Sequence, residues 1–77
     1  MEEIYKKVEH ILLNDFEIEP EKISMEAHLR EDIGIDSLDF VDIVVAIERD
    51  FGIKPTTQEL KQLATVDDLC GYIMRNK

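Results

Sequence analysis

Residues 36–52 read DSLDFVDIVVAIERDFG, and the spacing of their apolar side chains decides the fold. At about 100° per residue, Phe40, Ile43, Val44, Ile47 and Phe51 share an arc of roughly 100°. That predicts an amphipathic helix over 36–51, with Asp36 as its cap and Gly52 as its stop. Leu38, Val41 and Val45 fall on a second arc and are expected to be partly exposed. Asp39, Asp42, Glu48 and Arg49 surround that second patch. Two readings of it are open. An apolar patch with a charged rim is the anatomy of a docking surface. A helix with two apolar sides could also simply sit deeper in a bundle.

Helical periodicity continues on both sides. Ile4, Val8, Ile11 and Leu12 lie at helical spacing within residues 2–14, and Glu2 and Glu3 suit the positive end of that helix. Residues 15–35 have mixed patterning. There "EPEKIS" (19–24) suggests a turn inside a loop long enough to suspect a function. Thr56 and Glu59 fit a capping box that opens a short helix, "TTQELKQL" (56–63). Thr65 is placed to cap a last helix, "VDDLCGYIMRN" (66–76), with Val66, Leu69, Cys70 and Ile73 on one side. No segment reads as a strand. The expected fold is all-α: a small four-helix bundle with a long loop between helices 1 and 2 and a short third helix, in one domain over 1–77.

Composition narrows the function classes. Eighteen acids against nine bases give a net charge of −9, which repels nucleic acid and anionic membranes and favours basic protein partners. At 44% hydrophobic residues, the chain escapes the disordered class. The single cysteine, Cys70, cannot form an internal disulfide, which suits a reducing compartment. It sits on the apolar side of its helix with no basic neighbour in sequence, so a packing role is expected of it. No apolar run approaches membrane-span length, and "MEEIYKKVEH" reads as neither signal nor transit peptide. A cytoplasmic monomer is expected, without membrane insertion. His10 and His28 lack metal-ligand spacing, so no metal site is expected. The pair Asp67–Asp68 suits a helix N-terminus. No glycine-rich phosphate loop occurs.

Ser37 is the unexplained residue. It stands between Asp36 and a run of further acids, at the first helical position if Asp36 caps. An attached phosphate is tolerated at that end of a helix. Aspartate beside it in sequence is a poor base for a serine nucleophile, and no second catalytic group accompanies it. Ser37 could follow an aspartate cap by chance, or be the point where another enzyme attaches something.

The stretch "EDIGIDSLDFVDIVVAIERDFGI" (31–53), with the upstream "EPEKIS" and the terminal "LATVDDLCGYI" (63–73), resembles the acyl carrier proteins over the whole chain. The resemblance implies that the protein is not an enzyme. It implies that a carrier protein synthase, a phosphopantetheinyl transferase, moves 4′-phosphopantetheine from coenzyme A onto Ser37. The arm then carries acyl groups as thioesters between acyl-processing enzymes with basic docking surfaces. The base and metal for attachment would belong mostly to the transferase, with Asp36 helping to hold that metal. Asp36, Asp39, Asp42 and Glu48 around Leu38, Val41 and Val45 would form the partner face. Substitutions at Asp39 or Asp42 are expected to leave fold stability nearly unchanged. Phe40, Val44 and Ile47 would border the acyl pocket that the family opens inside the bundle.

Four features depart from the usual fatty-acid carrier. Phe40 replaces a small residue, often threonine, and Arg49 interrupts the acidic run. "KPTTQELKQL" (54–63) is neutral to basic where an acidic third helix is usual. His28 and Arg30 make the preceding loop more basic. The leading expectation is a free-standing carrier for fatty-acid or related lipid synthesis. The alternatives are a specialised carrier (polyketide, aryl polyene, aminoacyl or cell-envelope modification) and a non-carrier acidic adaptor with the same fold.

Overall fold

Three of the four helices begin on a side chain that closes back on its own first turn. The computed structural model describes residues 2–77. It contains α1 (Glu2–Asn14), α2 (Ser37–Phe51), α3 (Thr57–Lys61) and α4 (Val66–Asn76), with a short 3-10 turn at Pro20–Lys22. Asp36, Thr56 and Thr65 are the caps of α2, α3 and α4. Each accepts from the backbone N–H three residues on, whose side chain accepts from the cap N–H in return. These reciprocal bonds satisfy donors that a helix start otherwise leaves unpaired. α2 ends on Gly52 at φ 75°, whose N–H donates to the Glu48 carbonyl. An L side chain would be strained there.

α3 is shorter than its apolar pattern predicts. It stops at Lys61, and the chain tightens through Gln62 N–H to the Glu59 carbonyl and Leu63 N–H to the Leu60 carbonyl. The reason lies outside the helix. Asp68 accepts the N–H groups of Ala64 and Thr65 at 3.1 and 3.2 Å. The Ala64 carbonyl accepts from Leu29 N–H at 2.8 Å. Both interactions pull the chain out of helical register.

The long loop is part of the core. Ile23, Ala27, Leu29, Ile33 and Ile35 are all buried, and most of the buried residues of α1, α2, α3 and α4 join them in one apolar cluster. Backbone bonds pin this loop to the start of α4: Val66 N–H to the Ala27 carbonyl at 3.0 Å and Asp67 N–H to the Met25 carbonyl at 2.9 Å. His28 and Thr65 form an isolated antiparallel bridge. A 77-residue chain has little apolar surface to spare. Drawing five loop side chains inward is how this one builds a continuous interior.

α1 and α4 bury the stripes expected of them: Ile4, Val8, Ile11 and Leu12 in one, Val66, Leu69, Cys70 and Ile73 in the other. α2 is turned from its expected orientation. Its buried residues are Phe40, Ile43, Ala46 and Ile47, whereas Val44 and Phe51 are only half-buried. The core-facing arc is rotated by roughly 50° toward Ala46, at 100° per residue. Phe16, in the segment after α1, lines the same surface hollow as Ala46.

Candidate functional site

Ser37 opens α2 with an exposed side chain. Asp36 in front of it uses one carboxylate oxygen to accept from Leu38 N–H at 3.0 Å and Asp39 N–H at 3.2 Å. Asp39 returns a carboxylate oxygen to Asp36 N–H at 3.2 Å. The cap therefore consumes donors that a phosphate at the helix start would otherwise use. A phosphodiester on Ser37 would project into solvent instead of nesting on the helix end. No hydrogen bond ties the Ser37 hydroxyl to another side chain among the described residues, so none of those is positioned to take its proton. A serine nucleophile needs such a base within about 3 Å. Its exposure leaves it open to a base that another protein brings. The hydroxyl thus fits covalent attachment of an arm, and no step of its own.

Beside Ser37, α2 presents the expected outer patch. Leu38, Val41 and Val45 are 80%, 52% and 60% exposed. Among the described residues, Met74 is the one other large apolar side chain so exposed. Helical geometry puts Asp42 and Glu48 on opposite flanks of this patch. Both are exposed, and Glu48 lies 3.5 Å from Lys54. Asp36 and Asp39 are placed differently from the expected partner face. Asp36 is exposed but bound into the cap, and Asp39 is half-buried on the far side of α2. The expectation that Asp39 is free of the fold does not hold, because its carboxylate is half of the capping box.

Arg49, expected on the rim of the patch, is taken up internally. Its guanidinium donates to Asp15 at 3.0 Å and to Asp50 at 2.9 Å. These bonds push its pKa still higher and hold the Asp50 carboxyl below the usual range. Its charge is spent on tying the end of α2 to the segment after α1. The surface around Leu38, Val41 and Val45 therefore remains acidic in character.

The side chains expected to border an interior pocket divide. Phe40 and Ile47 are each 1% exposed and belong to the core, whereas Val44 packs against it from the edge. The Arg30 guanidinium lies over the Phe40 ring at 5.7 Å from its centroid. Sequence reading singled out both residues but did not pair them. They are ten positions apart, and only the turn through Gly34, at φ 91°, brings the loop back over α2. Cys70 is fully buried, and burial pushes its thiol up to about 11. A thiol so rarely ionised is packing, not a nucleophile. No group of His, Cys, Asp or Glu able to hold a metal ion occurs among the described residues. Likewise, no described helix is long and apolar enough to cross a membrane.

Known proteins align with this site throughout. The family model described as phosphopantetheine attachment site matches residues 6–73. An acyl carrier protein of Thermotoga maritima is 39% identical over 72 residues, covering 94% of this chain and 89% of the relative. One of Thermosynechococcus vestitus is 38% identical over 71 residues, covering 92% and 88%. One of Wolinella succinogenes is 35% identical over 74 residues, covering 96% and 97%.

Proposed function

Since the chain belongs to the family of phosphopantetheine-bearing acyl carrier proteins, which are carriers and not enzymes, we propose that Ser37 bears the arm. Acyl groups then ride on it as thioesters, in fatty-acid or a related lipid synthesis. One observation carries the assignment of Ser37. It is an exposed hydroxyl at the first position of α2, with no intramolecular partner, inside the matched span. The covalent group is 4′-phosphopantetheine from coenzyme A. Ser37 would hold it through its hydroxyl oxygen, and its distal thiol supplies the thioester chemistry. Leu38, Val41 and Val45, flanked by Asp42 and Glu48 and approached by Asp36 and Asp39, form the face that meets the transferase and the acyl-processing enzymes. Basic surfaces on those partners match its charge. Cytoplasmic placement follows from that role.

The test is intact mass after incubation with coenzyme A and a broad-specificity phosphopantetheinyl transferase. The wild-type protein gains one arm. Ser37→Ala gains none and keeps its helical circular dichroism and melting temperature. Modification of the alanine variant would overturn the assignment. A wild-type protein that takes no arm would point to the adaptor reading instead.

A further inference from the structure

We propose that a cleft between the end of the long loop and the end of α3 seats the distal carboxylate of an acidic acyl cargo, delivered by the arm on Ser37. This rests on the function proposed above and adds the chemical class of cargo. The cleft has a volume of about 220 Å³ and is lined by His28, Arg30, Glu31, Lys61, Gln62 and Leu63, among others. A single water needs only ~15 Å³ on such a measure. There is room for a carboxyl group and several methylenes.

The walls are held in place. Leu29 N–H donates to the Ala64 carbonyl at 2.8 Å across the base of the cleft. His28 N–H donates to Asp32 at 2.8 Å, which fixes the turn that carries Arg30. The Phe40 ring supports the Arg30 guanidinium through its face. That contact attracts the cation without pairing its charge with an acid, and the guanidinium N–H donors match a carboxylate. Neither Arg30 nor Lys61 forms an ion pair with a described residue, in contrast to Arg49, Lys54 and Lys6. Among the lining side chains the cations Arg30 and Lys61 face one acid, Glu31, on a molecule whose net charge is −9. An anion is repelled by most of this surface and accepted here.

The cleft is also within reach. Phe40 lies one helical turn, about 5 Å along the axis, from Ser37, and Arg30 sits on Phe40. Arg30 links the cleft to the Phe40 side of α2, which at 100° per residue lies away from Leu38, Val41 and Val45, so cargo held there leaves the docking face clear. The same geometry accounts together for two departures from the usual fatty-acid carrier. A buried Phe40 fills the space a long chain would enter, and Arg30 and Lys61 offer an anion a place outside it. Once the arm is loaded, occupancy is intramolecular, so weak contacts suffice.

The experiment compares four forms of the protein: without the arm, with the bare arm, with a butyryl thioester, and with a succinyl thioester of the same carbon count. Intact mass confirms each loading. The succinyl form is expected to melt about 2–4 °C above the butyryl form at low salt, from one partly exposed ion pair in a domain of this size. Backbone amide signals of residues 61–64 should shift in the succinyl form alone. In the Arg30→Gln, Lys61→Gln double variant, which changes exposed side chains, both differences should vanish. Equal melting and unshifted signals in the two acylated wild-type forms would overturn the inference while leaving the carrier function standing. Shifts already complete with the bare arm would assign the cleft to the arm's own phosphate and overturn it too. Failure to take the arm at all would overturn both readings, and mass alone would show it.

Discussion

Phe40 joins the interior to the surface at a single position. Its ring is buried in the cluster that includes Ile43, Ile47 and Leu60, and its outer face carries Arg30. Interiors are close-packed, so on the expected pocket a phenyl in place of a small side chain would remove the space a saturated chain needs. Phe40→Thr is expected to destabilise the unloaded protein by about 3 kcal/mol, as for other large-to-small changes at buried aromatics. Loading the variant with a long saturated chain should recover part of that loss, because the chain binds only the folded state. The same chain on the wild-type protein should add little. Thermal melts of the four species decide it, and strong stabilisation of the wild type by the long chain would show that the ring does not close the pocket. Asp39 and Asp42 give a second residue-level contrast. Asp39→Lys removes half of the α2 capping box and should cost about 1 kcal/mol. Asp42→Lys, exposed beside Val41 and Val45, should leave the melt unchanged yet slow modification of Ser37 by the transferase, more at low salt than at high salt. If Asp42→Lys is modified at the wild-type rate at low salt, the acidic rim plays no part in docking.

The helices depend on their first turns to an unusual degree, because three of the four start on reciprocal caps. In α3 the Glu59 carboxylate accepts from the backbone and side chain of Thr56, and also from the Tyr72 hydroxyl at 3.1 Å. In α4, Asp68 accepts two backbone N–H groups. Those bonds hold both carboxyls below their ordinary values of 4.5 and 3.8. A carboxyl depressed in the folded state stabilises it above the unfolded pKa and loses that contribution as pH falls through the folded one. The caps of α3 and α4 should therefore hold at pH 6 and fail below about pH 4. Thr65→Ala should cost about 1 kcal/mol at neutral pH, and the deficit should shrink in acid as Asp68, the other half of that box, protonates. A deficit independent of pH would mean that the two halves of the box act independently. These caps were legible in the sequence because a capping box is a local pattern of two residues. The orientation of α2 was only partly legible. Ala46 carries too little side chain to register as a core residue. The bonds from Leu29, Val66 and Asp67 that pin the long loop could not be read, since backbone pairing leaves no mark on residue type. At the candidate site, Ser37 and the patch of Leu38, Val41 and Val45 were visible as a short motif and a helical spacing. The placing of Arg30 over Phe40 and the diversion of Arg49 to Asp15 were not, because each depends on how distant segments return.

The whole molecule measures 27 × 26 × 20 Å and carries a net charge of −9. At an ionic strength of 0.01 M the Debye length is about 30 Å. Every carboxylate then repels every other across the full width of the fold. At 0.15 M that length drops to about 8 Å and repulsion is confined to near neighbours. The unfolded chain spreads the same charge over a larger volume, so screening favours the folded state. Opposing this are the ion pairs of Arg49 with Asp15 and Asp50, Lys54 with Glu48, and Lys6 with Glu2. Most of those side chains are exposed, and such pairs contribute only about 0–1 kcal/mol each, itself reduced by salt. Repulsion should therefore win. The melting temperature at pH 7 is expected to rise between 10 and 150 mM sodium chloride by roughly 5 °C, the shift that about 1 kcal/mol produces in a domain of this size. With the arm on Ser37 as proposed, its phosphodiester would add negative charge beside Asp36, so the arm-bearing form should show the steeper rise. Melts of both forms across the salt series measure it. A melting temperature that falls with salt would mean that the ion pairs outweigh the net charge.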